Sequence, residues 1–213
     1  MTHAYDEIYL DDAMITLAEL FSYVDNPKDA DFLFEAFIIR GIAQQFGKGN
    51  PRYLLLPSHV LFKEVAEPYL KPIIPNPYSR SATYWCGYVL AYYQWYTGLS
   101  FEEIRYKLPP SKIIQMYNPL HEASLSKFVS VANEIVFGPE TNLAKFRKNA
   151  GLSQRKLAEY SNVSLRSIQL YEQRQLDINS AEAIKLYQIS KVLGCNMEDL
   201  LEKKQVHLKG VNL

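Results

Sequence analysis

Residue types that commonly catalyse reactions or bind metals are few and scattered in this sequence. The four histidines are His3, His59, His121 and His207, and each is isolated from the others in sequence. His121 precedes a glutamate and could form an acid–base pair with it, but its position after a proline turn favours a helix-capping role. The sequence contains no phosphate-binding glycine loop, no HExxH zinc motif and no Gly-x-Ser-x-Gly elbow. We therefore expect no catalytic residues, no metal site and no cofactor.

Paired carboxylates and cysteines have structural explanations. The acidic pairs at 11–12 and 102–103 fall at predicted helix starts, where the helix dipole favours negative charge. Cys86 and Cys195 lie far apart with no second pair nearby, which argues against both a disulfide framework and a zinc site. We expect both cysteines to be buried thiols.

Charge is divided unequally along the chain, although its net charge is zero. Residues 1–140 carry 11 Lys and Arg against 16 Asp and Glu, a balance of −5, and residues 141–213 carry 12 against 7, a balance of +5. Such a division indicates that one part of the chain binds nucleic acid while another does something else. Chance variation along a chain of this length is the alternative.

The amino terminus and the apolar segments predict a cytoplasmic protein. The first residues, MTHAYDEIYLDDAM, lack the basic start, apolar run and cleavage site of a secretory signal. The longest apolar stretch, 84–96, is shorter than the roughly 20 residues that span a bilayer. We therefore expect no membrane association.

Hydrophobic periodicity predicts helices and no strands. The predicted helices of the first domain cover residues 13–24, 28–46, 58–66, 80–97, 100–107, 111–117 and 123–136. Their predicted buried faces contain Met14, Leu17, Leu20, Phe21, Val24, Phe32, Phe34, Phe37, Ile38 and Ile42. The sequence Phe-Gly-Pro at 137–139 follows a finished helix, at the point where the charge balance changes sign. It divides the chain into a helical, acidic domain 1–138 and a second domain 139–213 with a short basic tail from Lys203.

The sequence of the second domain predicts five short helices joined by tight turns. Its helical segments read LAKFRKNA, SQRKLAEYS, SLRSIQLYEQ, SAEAIKLYQISKVLG and NMEDLL. Gly151 suits the left-handed end of the first helix, and Ser153 and Ser164 are suited to cap the second and third. Asn162 falls in the turn between those two helices and tolerates a positive φ better than most residues. The residues left to pack the two helices together are Leu157, Ala158, Val163, Ile168 and Tyr171.

The segment LSQRKLAEYSNVSLRSIQLYEQ resembles the helix-turn-helix signature of the Xre/Cro, or lambda-repressor-like, family. The resemblance covers about 60 residues and continues through the fourth and fifth helices. It implies an all-α fold with a five-helix lambda-repressor-like domain at the C terminus. Members of this family often pair an arginine of the first helix with a glutamate ending the recognition helix, and Arg147 and Glu172 occupy those positions.

The same resemblance implies that the third helix enters the major groove of double-stranded DNA and that the second braces it. The matching base-reading positions are Leu165, Arg166, Gln169 and Leu170, of which Arg166 is the strongest candidate because a guanidinium can bond both acceptors of guanine. Gln154 matches a phosphate contact, and the surrounding candidates for phosphate binding are Arg155, Lys156, Gln173 and Arg174. The two leucines depart from the usual polar residues, so they either touch thymine methyl groups or pack on another protein surface. In the second case the domain is a protein-interaction module. Lys145, Lys148 and Lys185 are expected on solvated faces and are not assigned to DNA.

The aromatic segment YWCGYVLAYYQWYTG is the unusual feature of the first domain. It is either a helix buried on all sides or a helix with one face available to a partner, since Tyr and Trp are enriched at interface hot spots. In the second case Tyr93, Trp95 and Tyr96 are the partner-binding candidates.

Two regulatory functions fit an acidic helical domain joined to a DNA-binding one. The first is an autoregulating type II antitoxin, whose acidic domain binds a toxin while the helix-turn-helix represses their shared operon. The general look of the chain is similar to Xre-type proteins of toxin–antitoxin operons. The second is a stand-alone repressor whose first domain dimerises or senses a small ligand. Either regulator is expected to be a homodimer, because one recognition helix reads only a half-site. Neither is expected to be an enzyme.

Overall fold

The computed structural model describes residues 3–76 and 80–202, and within these ranges the regular structure is entirely helical. The described residues form two compact units, which divide between residues 132 and 133. No helix in the described ranges is both long and apolar enough to cross a bilayer. Pro77, His207 and the predicted basic tail from Lys203 lie outside the described residues.

The N-terminal unit is a bundle of short and medium helices. After a 3-10 turn at Glu7–Tyr9, its helices are α1 Leu10–Phe21, α2 Pro27–Ile39, α3 Ile42–Gly47, α4 Pro51–Leu54, α5 Ser58–Ala66, α6 Ala82–Thr97, α7 Phe101–Arg105, α8 Pro110–Gln115 and α9 Tyr117–Leu120. Helix α10, Leu125–Phe137, contains the division between the units. The domain boundary predicted at residue 138 therefore stays a prediction, close to this division.

Helix α1 packs along α6. Helices α4 and α5 contact α1, α8 and α9 contact α6, and α2 packs on α5 and α8, with α3 against α2 and α7 against α3. The predicted core face of α1 is confirmed, since its five residues are at most 3 % exposed. Four phenylalanine rings, those of Phe34, Phe37, Phe46 and Phe101, meet edge to face beside it with centroids 5.5 to 6.0 Å apart. Both acidic pairs lie in first helical turns as expected, and Glu103 completes a capping box with Ser100.

Two predictions about α2 and its continuation are wrong. The helix predicted over 28–46 is two helices, because Gly41 adopts a left-handed conformation with φ +74° and ends the first one. Phe32, predicted as core, is 43 % exposed and contacts the ring of Tyr69 on the surface instead. Of the two cysteines, Cys86 is buried as expected, whereas Cys195 is only partly buried.

The C-terminal unit contains the five predicted helices. They are α11 Asn142–Asn149, α12 Gln154–Ser161, α13 Leu165–Glu172, α14 Ala183–Leu193 and α15 Met197–Leu200, with a 3-10 turn at Ile178–Ser180. One hydrophobic cluster contains side chains from all five helices, with fully buried Leu143, Leu157, Ile168, Ile189 and Leu200 at its centre.

Candidate nucleic-acid interface

Helices α12 and α13 begin and end where the sequence predicts. The Oγ of Ser153 accepts a hydrogen bond of 3.1 Å from the amide of Lys156, and that of Ser164 accepts one of 3.0 Å from the amide of Ser167. Asn162 adopts φ +54° between the helices, which turns the chain without a glycine. These caps satisfy amides at the starts of both helices and thereby fix the angle at which α13 leaves α12.

The predicted packing between the two helices is confirmed. Leu157, Ala158, Val163, Ile168 and Tyr171 are all at most 9 % exposed and belong to the core cluster of this unit. Because these side chains fill the inner faces of α12 and α13, the outer face of α13 is left to the solvent.

A buried ion pair attaches α13 to α11. Arg147 donates from Nε and Nη2 to the two carboxylate oxygens of Glu172, over 2.6 and 2.8 Å, and from Nη1 to the carbonyl of Leu152 over 2.7 Å. The hydrogen bond to Glu172 raises the pKa of Arg147. The side chains of the pair are only 12 % and 7 % exposed. The pairing that the family resemblance implies is therefore present, as a bidentate contact in a protected position.

Gln154 extends this network to the start of α12. Its Nε2 donates a hydrogen bond of 2.8 Å to the same carboxylate of Glu172. The amide is half-buried, and its second hydrogen is not used in this bond. Gln154 is therefore held in place by the residue that ends the recognition helix, which fixes a candidate phosphate contact relative to α13.

The outward side of α13 carries the predicted base-reading residues. Arg166 is exposed, Gln169 and Leu170 are half-buried, and Gln173 is exposed beyond the end of the helix. Leu165 is half-buried because its side chain packs against the core cluster. On α12, Arg155 and Lys156 are exposed, and no ion pair within residues 3–76 and 80–202 involves them or Arg166. The structure thus brings three cations to helix starts on α12 and α13.

Arg174 is a correction to the predicted phosphate contacts. It follows α13 with φ +54°, and its guanidinium lies 5.5 Å from the ring centroid of Phe137 and 3.5 Å from a carboxylate oxygen of Glu202. Its side chain is 11 % exposed, and both Nε and Nη2 are inaccessible to solvent. A phosphate could not reach these atoms in this conformation, so Arg174 stabilises the domain instead of extending its DNA-binding surface. The left-handed turn that directs the side chain inward was not visible in the sequence.

Replacement of Arg174 and replacement of Arg155 are expected to have different effects on DNA binding. Arg174→Ala should leave the salt dependence of DNA affinity unchanged and lower the unfolding temperature, because it removes packing on Phe137 and an ion pair. Arg155→Ala should reduce the slope of log affinity against log salt by about 1 and leave stability unchanged. Fluorescence anisotropy with a labelled duplex over a salt series measures the slopes. A reduced slope for Arg174→Ala with normal stability would contradict this assignment.

Two lysines elsewhere on the domain are paired with acids on solvated faces. Lys148 forms an ion pair with Glu140, and Lys185 forms one of 2.7 Å with Glu182. These pairs neutralise two of the lysine charges, whereas Lys145 on α11 and Lys191 on α14 are exposed and form no ion pair within residues 3–76 and 80–202. Cations without an acidic partner therefore lie on α11 and α14 as well as on α12 and α13.

In the N-terminal unit, two of the three predicted partner-binding residues are buried. Tyr93 is 0 % exposed and meets the ring of Phe128 edge to face. Trp95 is 4 % exposed, stacks on His3 at 3.7 Å and donates from its indole nitrogen to the carbonyl of Tyr5. Neither ring is available to a partner in this fold, which corrects the prediction. Tyr96 is half-buried and stacks on Tyr92.

An aromatic hollow of about 240 Å³ lies beside α6. Its walls are formed by Arg80, Tyr84, Trp85, Tyr88, Tyr117, His121, Ala123 and Leu125. The ring of His121 stacks on Tyr117 at 4.2 Å, and its Nδ1 lies 2.8 Å from the carbonyl of Tyr117. His121 lies at the C-terminal end of α9, as its sequence position suggests, and its Nε2 is 3.7 Å from a carboxylate oxygen of Glu122. Its ring also forms part of the hollow.

Comparison with known proteins identifies one part of the chain. Residues 143–200 match the family model described as helix-turn-helix. This range begins in α11 and ends with α15, so it covers all five helices of the C-terminal unit. No curated protein and no solved structure matches the chain significantly.

Proposed function

We propose that this protein, whose C-terminal third is a helix-turn-helix domain of the Xre/lambda-repressor-like type, is a homodimeric transcriptional repressor that binds a specific DNA operator. The observation that carries the proposal is the outward face of α13. It presents the exposed guanidinium of Arg166, which forms no ion pair within residues 3–76 and 80–202, while the part-buried pair of Arg147 and Glu172 fixes the helix behind it. A regulator of this kind needs no catalytic group.

In the proposed complex α13 lies in the major groove and α12 crosses the phosphate backbone. Arg166 donates two hydrogen bonds to one guanine, and Gln169 contacts a neighbouring base edge. Leu170 and the exposed part of Leu165 touch thymine methyl groups. The phosphate contacts come from four residues, Gln154, Arg155, Lys156 and Gln173. Two copies of the domain then read two half-sites spaced by about one helical turn, roughly 34 Å.

Arg166→Ala is expected to relax specificity at a single base pair of each half-site. Loss of a bidentate guanine contact costs about 1–3 kcal/mol of discrimination, which corresponds to roughly 5- to 150-fold. Selection from a random duplex library identifies the wild-type operator, and binding to single-base variants of it measures the discrimination. Recovery of no consensus sequence by the wild-type protein would contradict the proposed function.

Arg166→Lys is the matched control because it keeps the charge but loses the planar fork of donors. It should lose the same discrimination as Arg166→Ala while retaining more of the affinity for random DNA. Equal losses of affinity on operator and random DNA in both variants would assign Arg166 to phosphate contact only.

For the N-terminal unit we propose the role of an antitoxin in the cytoplasm, with the operon of the toxin as the regulated target. The support is the acidic balance of residues 1–140 and their helical fold, joined to the helix-turn-helix. The test is isolation of the protein from its host, with sequencing of bound DNA and mass spectrometry of bound protein. Its own promoter together with the product of a neighbouring gene is the expected result. Growth arrest by that product, relieved on co-expression, is the second expected result, and its absence would contradict the antitoxin role.

The aromatic hollow supports a second candidate, a repressor that senses a small ligand. Its volume and its walls of four aromatic side chains and a histidine suit a single planar ring, and Arg80 offers a positive charge to a carboxylate on that ring. The chemical class that fits these walls is a monocyclic aromatic acid.

Benzoate is a probe of that class, and its binding should be visible through Trp85. We expect a saturable change of tryptophan fluorescence that disappears in Trp85→Phe and weakens in Arg80→Ala, together with a changed affinity for DNA. Fluorescence titration and DNA-binding measurements with and without benzoate give both readouts. If neither tryptophan fluorescence nor DNA affinity changes saturably with benzoate, the hollow does not sense monocyclic aromatic acids.

A further inference from the structure

Helix α6 presents a row of four tyrosines on its outer side. Tyr84, Tyr88, Tyr92 and Tyr96 follow one another at four-residue spacing, and each is half-buried. These four residues form the tyrosine row. None of its four hydroxyl groups makes a hydrogen bond within residues 3–76 and 80–202. Among the described residues the row therefore offers aromatic faces and four hydroxyl groups without a hydrogen-bond partner, along about three helical turns.

The opposite side of α6 explains why these four rings remain outside. Cys86, Val89, Leu90 and Tyr93 are at most 1 % exposed and fill the core, and Gly87 lies against the backbone of α1. A helix packed this closely on one side cannot rotate to bury the tyrosine row. The row is a fixed surface of the unit.

The charged neighbours of the tyrosine row are two carboxylates and, at its Tyr84 end, one arginine. Residues 1–27 contain six Asp and Glu and no Lys or Arg, and α6 itself contains no charged residue. Burial is the main cause that raises the pKa of Tyr84 and that of Tyr92. The nearby charge of Glu19 adds to this effect at Tyr84, and the charge of Glu7 adds to it at Tyr92. Arg80 is the cation that acts on the row, at its Tyr84 end. Glu19 and Tyr84 line the same surface depression, and Glu7, in the turn before α1, acts on Tyr92. Carboxylates therefore lie beside the row at two separate points along its length.

We infer that the tyrosine row, with Glu7 and Glu19, binds a Lys- and Arg-rich segment of a partner protein. Tyrosine faces attract ammonium and guanidinium groups, and phenol oxygens accept hydrogen bonds from them. The two carboxylates supply the opposite charges that set the register of such a segment. DNA and a second copy of the same acidic face would both be repelled by these carboxylates, so neither is the occupant. The inference rests on the proposal that the N-terminal unit binds a protein, but not on DNA recognition by the C-terminal unit.

The test places a photo-crosslinking residue, p-benzoylphenylalanine, at position 88 of the full-length protein in its native host. Mass spectrometry then identifies the partner peptide attached to position 88. We expect a peptide with an excess of Lys and Arg. The double change Glu7→Lys with Glu19→Lys should lower the crosslink yield on the order of tenfold or more, because it replaces attraction by repulsion. The control, Glu64→Lys with Glu67→Lys, changes the net charge equally at α5 and should leave the yield unchanged.

Each other outcome overturns the inference in a recognisable way. A neutral or acidic partner peptide, no crosslink, or a yield insensitive to reversal of Glu7 and Glu19 would exclude a basic partner segment. A crosslink to the protein's own C-terminal unit would indicate self-binding instead. Thermal unfolding of each variant, monitored by tryptophan fluorescence, separates lost binding from lost folding. Operator binding by the same variants should be unchanged, so failure of this inference and failure of the DNA-binding proposal are distinguishable.

Discussion

Replacement of Arg147 by methionine is expected to unfold the helix-turn-helix domain. Among the described residues, the change leaves the carboxylate of Glu172, 7 % exposed, with one side-chain donor, Gln154 at 2.8 Å. Removing one partner of a buried ion pair costs about 3–5 kcal/mol, because the other charge remains desolvated. The core of a domain of roughly 60 residues rarely supplies more than about 3–5 kcal/mol. A single substitution distant from the DNA should therefore abolish operator binding.

Hydrogen exchange and two optical signals measure this effect. Both tryptophans of the chain, Trp85 and Trp95, lie in the N-terminal unit, so their fluorescence reports the unfolding of that unit alone. Far-UV circular dichroism reports both units. We expect a loss of helical signal at low urea that tryptophan fluorescence does not follow, with fast exchange in α11 to α15. Normal protection of these helices in Arg147→Met would contradict the expected role of the pair.

Two control variants separate burial from charge. In the double variant Arg147→Met with Glu172→Met no unpaired charge remains, and most of the stability should return, since apolar replacement of a whole buried pair is often neutral or better. Lys185→Met breaks the exposed pair with Glu182, whose side chains are 36 % and 67 % exposed, and should cost at most about 1 kcal/mol. A double variant as unstable as the single one would show that the arginine acts through its contact with Leu152 rather than through the pair.

The C-terminal unit was predictable from the sequence because its signals are local. Caps at Ser153 and Ser164, left-handed conformations at Gly151 and Asn162, and apolar spacing each involve residues within a few positions of one another. The exception is Arg174, whose partners Phe137 and Glu202 are 37 and 28 positions away. Its inward direction depends on tertiary contacts that no local pattern reports.

For the N-terminal unit, the sequence predicts the helices but not which of their sides are buried. The positions of α5 and α6 follow the sequence closely, and α1 begins and ends three residues before the predicted helix 13–24. Of the three partner-binding candidates on α6, however, Tyr93 and Trp95 lie on its buried side. A helix with aromatic residues all round gives no amphipathic signal, so its buried side is decided by what packs against it. The four-residue spacing from Tyr84 to Tyr96 is the signal that could have identified the outer side. Gly87 decides which side of α6 packs against α1, and a single glycine contributes nothing to the hydrophobic periodicity of the sequence.

Gly87→Ala is expected to destabilise the N-terminal unit by about 3 kcal/mol. A methyl group at this position would lie 2.3 Å from the carbonyl oxygen of Leu17 and 2.8 Å from the Cα of Ala18, both backbone atoms of α1. In a solvent-exposed helix the same change would gain about 1 kcal/mol from helix propensity. Here the clash makes the change destabilising, because neither helix can move without opening the core around Leu17 and Leu90, both fully buried.

Gly47→Ala is the matched control at the end of α3. Its added methyl group would meet Nε2 of Gln94 at 3.2 Å, a buried side-chain atom that donates hydrogen bonds to the carbonyls of Gly47 and Leu99, rather than a backbone atom of another helix. The loss of stability should therefore be clearly smaller than for Gly87→Ala. Urea unfolding followed by tryptophan fluorescence measures both variants in the unit that contains them. Gly87→Ala should also reduce crosslinking from position 88, since separating α1 from α6 moves Glu7 and Glu19 away from the tyrosine row. A stable Gly87→Ala protein would mean that α1 and α6 do not approach as closely as this packing requires, and the fixed outer side of α6 would lose its basis.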